Sequence, residues 1–162
     1  MKIEGKAHKY GDDVNTDVIY PGKYTYQQLS SEEMASHALE DLDADFSKNV
    51  QPGDIIVAGK NFGCGSSREQ AAACLKYAGV SAIIAESFSR IFFRNAINYG
   101  LMAIAHPEAA KSIRAGDIVY IHRENGVIKS GGNEFKFSPF PELVEGILEE
   151  GGLLPYLQKK LT

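Results

Sequence analysis

The sequence has few of the residues that mark nucleic-acid-binding and membrane proteins. It contains no basic run, and its 17 Lys and Arg stand against 21 Asp and Glu, which gives a formal net charge of −4. A mildly acidic chain of this kind argues against binding a phosphate backbone. No apolar run approaches the roughly 18 residues that a membrane-spanning helix needs. We therefore expect neither a nucleic acid nor a membrane as partner.

Cysteine is equally scarce, with Cys64 and Cys74 as its only two occurrences. Their spacing fits no redox or metal motif, and two thiolates are too few for a four-cysteine zinc site or an iron–sulfur cluster. We therefore expect reduced thiols and no metal held by this chain. The first residues have no apolar segment typical of a secretory signal, which adds to the expectation of a cytoplasmic protein.

The hydrophobic pattern predicts one α/β domain over residues 1–162. Hydrophobic residues make up 44% of the chain and charged residues 23%, close to globular averages. Short apolar runs alternate with helical patterns in the order 54–59, 66–77, 81–85, 88–98 and 101–105. This alternation predicts a βαβαβ unit with a parallel sheet and right-handed crossovers.

The remaining segments add strands and helices around that unit. Further strands are predicted at 3–10, 117–122, 126–129 and 134–137, and further helices at 31–42, 141–150 and 153–161. Residues 11–22 form a turn-rich segment. In the helix at 88–98, the spacing places Phe88, Ile91, Phe92 and Ala96 toward one side. The fold expected is therefore a mixed sheet flanked by helices.

The segment KNFGCGSSREQ, residues 60–70, is the most informative part of the chain. It follows a predicted buried strand and opens a predicted helix, where free amide groups and the positive helix end favour an anion. Gly63 and Gly65 allow a tight turn that leaves those amides accessible. Arg68 can add a bidentate clamp on a carboxylate. The pattern is neither a Walker loop nor GxGxxG.

Local chemistry leaves several residues with two interpretations. Ser66 and Glu69 have capping-box spacing, so Ser66 either caps the helix or, in a strong positive field, acts as a base. Cys64 is either a small loop residue or a reactive thiolate near a helix N-terminus. Asn15-Thr-Asp17 is either a plain Asx turn or a segment that presents Asp17 to an active site.

Two arginines and the second cysteine are assigned structural roles. Arg90 and Arg94 lie four residues apart on one predicted helix face, and a place on the surface or at the helix end is favoured over ligand binding. Cys74 falls within a predicted helix and is assigned to the core.

Four segments together resemble the small subunits of 3-isopropylmalate dehydratase, the swivelling domain of the aconitase superfamily. They are NTD at 15–17 with IYPGKY at 19–24, NFGCGSSRE at 61–69, SFSRIFFRN at 87–95 with NYGL at 98–101, and ILEEGGLLP at 147–155. The segments follow the family's order and span nearly the whole chain. The resemblance implies a swivelling β/β/α fold and a reaction that moves a hydroxyl group between neighbouring carbons of a malate derivative.

The resemblance also implies roles for particular residues. Ser66 would be the alkoxide base that removes the carbon-bound proton, and Asp17 would join the polar network at the same site. Arg68 would bind a substrate carboxylate, with Gly65 and Ser67 of the same motif and Thr25 and Tyr26 of the specificity segment completing the substrate site. On this basis we prefer the base to the cap for Ser66.

A cofactor and a partner follow from the same resemblance. In the family a [4Fe-4S] cluster acts as the Lewis acid that takes the departing hydroxide, and its three cysteine ligands belong to a separate large subunit. The chain would therefore be inactive alone, with its active site at a subunit interface. An isolated small subunit could self-associate through the exposed partner surface.

Two departures from the family pattern concern the loop and the substrate. Gln70 replaces the usual His, at a position that we expect to support the loop. Relatives acting on tricarboxylates carry Tyr-Leu-Arg where this chain has Tyr24-Thr-Tyr26, and Lys23 is the only cation in that segment. A free carboxylate there would be desolvated without compensation. The sequence thus favours a substrate with an apolar substituent.

Isopropylmalate is therefore preferred as the substrate. A methylmalate or 2,3-dimethylmalate dehydratase of the citraconate type is the runner-up, and homoaconitate is disfavoured. A function of another class also stays open: a stand-alone carboxylate-binding module that uses residues 63–68. The segment 23–28, which would close over the substrate, is expected to be mobile without it.

Overall fold

A seven-stranded mixed sheet forms the centre of the computed structural model, which describes residues 2–162. Its strands in chain order are β1 (Lys2–Lys9), β2 (Ile55–Ala58), β3 (Ala82–Ala85), β4 (Met102–Ala105), β5 (Ile118–His122), β6 (Val127–Ser130) and β7 (Asn133–Lys136). The spatial order is β4-β3-β2-β1-β5-β6-β7. Neighbours from β1 to β4 pair in parallel, whereas β5, β6 and β7 are added antiparallel.

Eight helices accompany the sheet in the described part of the chain. They are α1 (Thr16–Ile19), α2 (Ser31–Ser36), α3 (Phe46–Asn49), α4 (Glu69–Tyr77), α5 (Arg90–Asn98), α6 (Pro107–Ser112), α7 (Glu142–Glu149) and α8 (Leu153–Lys160), with a 3-10 turn at Gly22–Tyr24. The predicted βαβαβ unit is β2-α4-β3-α5-β4, and the mixed sheet flanked by helices is confirmed. No helix within residues 2–162 combines the length and the apolar character that a bilayer crossing requires.

The apolar runs became central strands because both of their faces are covered. In β2 and β3 every residue is buried. Successive side chains enter two different core clusters: Ile56 and Ile83 join the one that includes α4, while Ile55 and Ile84 join the one that includes α6 and α7. This alternation is the two-residue period of a strand. Because β2 and β3 are parallel, the polar loops that follow these two strands lie at the same edge of the sheet.

Several helix boundaries differ from the predicted ones. The helix predicted at 31–42 ends at Ser36, because Leu39 adopts a φ of +58° and donates its N–H to the carbonyl of Ile19. The short helices α1, α3 and α6 were not predicted. Ile91, predicted to face inward on α5, is 46% exposed, since the neighbouring Phe92 takes the buried position on that helix.

The pair Asp54–His8 is a buried polar contact between β1 and the start of β2. The carboxylate lies 2.8 Å from His8 Nε2 and accepts the backbone N–H groups of Gln51 and Lys6 at 3.0 and 3.1 Å. Burial alone would raise the pKa of Asp54, but these hydrogen bonds outweigh it and hold the pKa below its usual value. The ionised form therefore stabilises the fold.

We expect Asp54→Asn to lower the free energy of unfolding at neutral pH by about 2–3 kcal/mol, because an amide cannot accept all three donors. The contribution of Asp54 is present above the unfolded-state pKa, near 3.9, and is lost as the pH falls through the lower folded pKa. Denaturant titrations at pH 7 and pH 3 measure it, with exposed Asp41→Asn as control. An equal loss at both pH values would contradict this account.

Candidate active site

Two segments far apart in sequence run side by side at the edge of the sheet. The backbone N–H of Gly63 donates to Val14 O at 2.7 Å, and that of Thr16 donates to Cys64 O at 2.9 Å. Asn15 caps α1, because its side chain accepts the N–H of Val18 at 2.9 Å. The NTD segment and the glycine-rich loop are thereby joined into one surface. Asn15 is thus a helix cap, and Asp17 in the first turn of α1 faces the loop.

The glycines of the loop are required by its conformation. Gly63 has a φ of +82°, and a Cβ atom there would lie 2.2 Å from Cγ of Phe92. Gly65 has a φ of +93°, a backbone region that L-residues with side chains rarely adopt. The tight turn predicted from the sequence is confirmed at both positions. It brings the start of α4 against the start of α5.

Arg68 is the residue that ties this surface together. Its side chain is only 10% exposed. Nη1 donates to Thr25 Oγ1 at 2.7 Å, and Nη2 donates to the backbone carbonyls of Thr16, at 2.7 Å, and Tyr20. Nη2 also lies 3.1 Å from the exposed carboxylate of Asp17. The guanidinium thus connects α1, the specificity segment and the loop before α4.

Ser66 and Ser67 lie ahead of α4 rather than in its first turn. The helix begins at Glu69, and its N-cap is Arg68, which makes no side-chain cap. The capping box between Ser66 and Glu69 is therefore wrong. The carbonyl of Ser66 instead accepts the hydroxyl of Thr16 at 2.8 Å. Both serines are exposed, so the Ser66 hydroxyl is accessible to a bound molecule.

A shallow pocket lies where the two helix starts meet. Its lining consists of Thr16, Gly63, Gly65, Ser66, Ser67, Arg68, Ser89, Ile91, Phe92 and Asn95. The pocket brings together Gly65, Ser66, Ser67 and Arg68 of the prediction, whereas Asp17, Thr25 and Tyr26 are not among its lining residues. Part of the lining comes from α5, where exposed Ile91 supplies an apolar side chain. This part was missed as a site, although its residues belong to the SFSRIFFRN motif.

Residues 23–28, called the specificity segment after the resemblance, contact the pocket residue Arg68 through Thr25. Thr25 is half-buried and held by Arg68, whereas Tyr26 is 98% exposed. The side-chain amide of Gln70 lies 3.4 Å from the carbonyl of Thr25, a contact in line with the supporting role expected of it. Lys23 lies 3.8 Å from Glu40. The only cation of this segment thus faces Glu40 and also lies over the Tyr24 ring, 5.2 Å from its centroid.

The cysteines and arginines fall largely as expected. Cys74 is fully buried, and burial raises the pKa of its thiol, so its assignment to the core is confirmed. Cys64 is half-buried in the loop, where its carbonyl takes part in the pairing with Thr16. Arg90 and Arg94 are both exposed, which confirms the surface assignment.

The donor set of the described chain does not fit an iron–sulfur cluster. Only one thiol reaches the surface near the pocket, and residues 2–162 contain no group of three or more His, Cys, Asp or Glu able to hold a metal ion. A cluster would need at least two further thiolates at this place. The described residues therefore do not by themselves supply a metal-dependent step of a reaction.

Thr16 is a buried residue of this surface that was not predicted from the sequence. It is 2% exposed, donates its hydroxyl to Ser66 O and accepts from Arg68 through its carbonyl. Its neighbours Asn15 and Asp17 attracted the interpretation because their side chains are polar and prominent in turns. The sequence carries no signal for its role, because the burial that makes its hydroxyl need a partner is visible only in the structure.

Comparison with known proteins agrees with the resemblance seen in the sequence. A family model described as the aconitase C-terminal domain matches residues 6–109. The 3-isopropylmalate dehydratase small subunit of Caldicellulosiruptor bescii is 52% identical over 163 residues, covering 99% of this chain and 98% of that protein. The small subunit 1 of Thermotoga maritima is 52% identical over 159 residues, covering 97% and 95% of the two chains.

A solved structure supports the same assignment. The crystal structure of 3-isopropylmalate dehydratase from Methanocaldococcus jannaschii superimposes with a TM-score of 0.92 at 48% identity, and the match covers 99% of this chain and 96% of that one. Such agreement over the whole length confirms the fold expected from the resemblance. The chain therefore belongs to the aconitase C-terminal domain family, within the group of 3-isopropylmalate dehydratase small subunits.

Proposed function

We propose that this chain is the small subunit of a heteromeric hydro-lyase that interconverts 2-isopropylmalate and 3-isopropylmalate, a reaction of leucine biosynthesis. One observation carries the proposal. The exposed Ser66, which caps no helix, lies two residues before the buried Arg68, in a chain that matches 3-isopropylmalate dehydratase small subunits over nearly its whole length. The exposed Ser66 hydroxyl supplies a proton acceptor, and Arg68 supplies the positive charge that a dicarboxylate requires.

In the proposed reaction Ser66 acts as the base. Its alkoxide takes the proton from the carbon next to the hydroxyl-bearing carbon, the C–H electron pair forms the double bond, and hydroxide departs. On rehydration, hydroxide adds to the carbon that lost the proton, and Ser66 returns the proton to the other carbon. The charge of Arg68 and the N-terminal end of α4 both favour the alkoxide.

Arg68 is proposed to bind a substrate carboxylate at the place that Asp17 occupies. Nη2 of Arg68 faces the Asp17 carboxylate at 3.1 Å, and that carboxylate is 66% exposed. A substrate carboxylate can therefore compete for the guanidinium without breaking the buried bonds to the carbonyls of Thr16 and Tyr20. Asp17 would then be released into the polar network around the substrate, beside Gly65 and Ser67.

The departing hydroxide requires an electrophile that this chain does not carry. We assign that role to a [4Fe-4S] cluster on a partner large subunit, as the resemblance implies. The active site would then be completed only when the two subunits meet, in the cytoplasm. Ser66 and Ile91 of the pocket lining are exposed, as is Tyr26, so these side chains are accessible to such a partner.

The substrate is proposed to carry an apolar group in place of a third carboxylate. Tyr26 presents an aromatic ring, and Lys23 is paired with Glu40. Ile91 adds an apolar surface to the pocket wall. A third carboxylate would have to compete with Glu40 for Lys23, the only cation of residues 23–28, and would otherwise be desolvated at a cost. Isopropylmalate therefore fits better than homoaconitate, with 2,3-dimethylmalate as the nearer competitor.

The proposal is tested by assaying four substrates side by side with the complex of this chain, its large subunit and a reconstituted cluster. We expect kcat/KM for 2-isopropylmalate to exceed that for 2,3-dimethylmalate by about fourfold, the effect of one buried methylene equivalent, and that for hydration of citraconate by about tenfold, the effect of two. Homoaconitate should be at least about a hundredfold poorer, because its extra carboxylate stays unpaired.

The isolated chain is the control and is expected to give no turnover. Preference for homoaconitate would contradict the substrate assignment. Micromolar binding of malate derivatives by the isolated chain, measured by calorimetry, together with no activity in any complex, would instead favour a carboxylate-binding module.

A further inference from the structure

We propose that Glu40 is a positioning residue for substrate recognition: it holds Tyr24, and through Tyr24 it restrains Tyr26, the exposed residue that follows the Arg68-bound Thr25. Glu40 lies outside the four segments that carry the family resemblance, and the function proposed above uses it only as the partner of Lys23. The inference rests on that proposed function, because it concerns how the same site recognises its substrate.

Both carboxylate oxygens of Glu40 are engaged. Oε1 accepts the hydroxyl of Tyr24 at 2.9 Å, and Oε2 lies 2.7 Å from Nδ1 of His37. The ring of Tyr24 stacks on His37 with centroids 3.9 Å apart and planes 20° apart. Tyr24 is thus fixed at its tip by a charged acceptor and along its face by an imidazole. The name Tyr24 clamp is used below for Tyr24, His37 and Glu40.

The Tyr24 clamp restrains the specificity segment because Thr25, the residue after Tyr24, is bound to a different part of the fold. Thr25 is bound through its hydroxyl to Arg68 at 2.7 Å, while Tyr24 is bound to Glu40. Consecutive residues are therefore tied to two different elements, and Tyr26 follows with its side chain 98% exposed. Because Tyr24 and Thr25 are both held, the backbone direction at Tyr26 is restricted even though the Tyr26 side chain is exposed.

Glu40 also decides which charge the substrate meets. Its Oε1 lies 3.8 Å from Nζ of Lys23, so it draws the only cation of the segment toward itself. Burial raises the pKa of Glu40, but hydrogen bonds from His37 and Tyr24 outweigh this and hold the pKa below its ordinary value. The carboxylate is therefore ionised at neutral pH and competes for Lys23 with any substrate carboxylate. Without Glu40, Lys23 would keep only its contact with the Tyr24 ring, 5.2 Å from the centroid, and its ammonium group could pair with a substrate carboxylate.

The kinetic test compares Glu40→Ala, Tyr24→Phe and Glu40→Gln in the reconstituted complex. Glu40→Ala and Tyr24→Phe are expected to raise KM for 2-isopropylmalate by about five- to tenfold, the effect of one hydrogen bond to a charged group, with kcat within about twofold because Ser66 and Arg68 are untouched. Glu40→Gln keeps an oxygen for Tyr24 and should restore most of the KM. Glu32→Ala, an exposed acid on α2, is the matched control.

Loss of the Glu40 charge is expected to change the preference between 2-isopropylmalate and homoaconitate. Glu40→Ala and Glu40→Gln both free Lys23, so both should narrow the preference for 2-isopropylmalate over homoaconitate, whereas Tyr24→Phe should leave that ratio unchanged. A KM within twofold of the parent for Glu40→Ala, or equal falls in kcat for all three variants, would overturn the proposal. Wild-type complex that fails to turn over isopropylmalate would instead refute the function proposed above.

A second readout needs neither partner nor substrate. The sequence has no tryptophan, so Tyr26→Trp places a single indole at the tip of the specificity segment in the isolated full-length chain. Adding Glu40→Ala in that background is expected to lower the fluorescence anisotropy of the indole while the thermal unfolding midpoint stays within a few degrees. Unchanged anisotropy would show that Glu40 does not restrain position 26 and would overturn the proposal, whatever the substrate.

Discussion

Alanine at position 66 is expected to lower kcat for isopropylmalate interconversion by about 10²- to 10⁴-fold in the reconstituted complex, the range that a positioned base contributes. The substitution removes the only proposed proton acceptor in the pocket. KM should change little, because the carboxylate contacts proposed for Arg68 are unaffected. The hydroxyl of Ser66 caps no helix and is exposed, so the fold should be unaffected as well.

Steady-state kinetics with equal cluster content in both preparations measures this loss. Ser112→Ala, which removes an exposed hydroxyl on α6, is the matched control and should retain full activity. A fall in kcat of less than about tenfold for Ser66→Ala would remove Ser66 from the role of base. A loss of similar size in the control would point to damaged assembly.

Arg68→Lys is expected to raise KM by at least about a hundredfold and to lower the free energy of unfolding by about 2–3 kcal/mol. The guanidinium donates through Nη1 to the hydroxyl of Thr25 and through Nη2 to the carbonyls of Thr16 and Tyr20. A single ammonium nitrogen cannot reach both sides of that set. The buried carbonyls would lose their donor, and the specificity segment would lose its anchor at Thr25.

Two measurements separate the effects of this substitution. Denaturant unfolding of the isolated chain reports the structural loss, and KM in the complex reports the loss of carboxylate binding. Arg114→Lys makes the same change at an exposed position and should alter neither quantity. Normal stability and normal KM for Arg68→Lys would show that charge alone suffices, which contradicts a guanidinium acting as a fork.

The sheet and the chemical loop could be predicted because their signals are local. Apolar runs at 54–59, 81–85 and 101–105 could be buried only as strands covered on both faces, and β2, β3 and β4 lie within them. The turns at Gly63 and Gly65 were predictable because positive φ angles favour glycine there. Ser66, Ser67, Arg68 and Gly65 of the proposed site came from the same loop, whereas Asp17, Thr25 and Tyr26 came from the resemblance carried by all four segments.

Local patterns were wrong where contacts between distant residues were stronger. The spacing of Ser66 and Glu69 is that of a capping box, but the tie from Thr16 to the Ser66 carbonyl keeps residue 66 outside the helix. The helix predicted to reach residue 42 stops because Leu39 donates its N–H to Ile19 across the core. Each local preference is worth about 1 kcal/mol, and one buried tertiary hydrogen bond is enough to overcome it.

The sequence alone therefore determined the α/β class, the loop that carries Ser66 and Arg68, and a thiol count too small for a cluster. Only the tertiary structure decided what Arg68 holds, that Thr16 joins the two loops, and that Glu40 clamps Tyr24. The physical reason is the distance along the chain. Arg68 meets its acceptors 43 to 52 residues away, a separation at which hydrogen-bond partners leave no periodic signal and are selected only when the packed sheet brings the segments together.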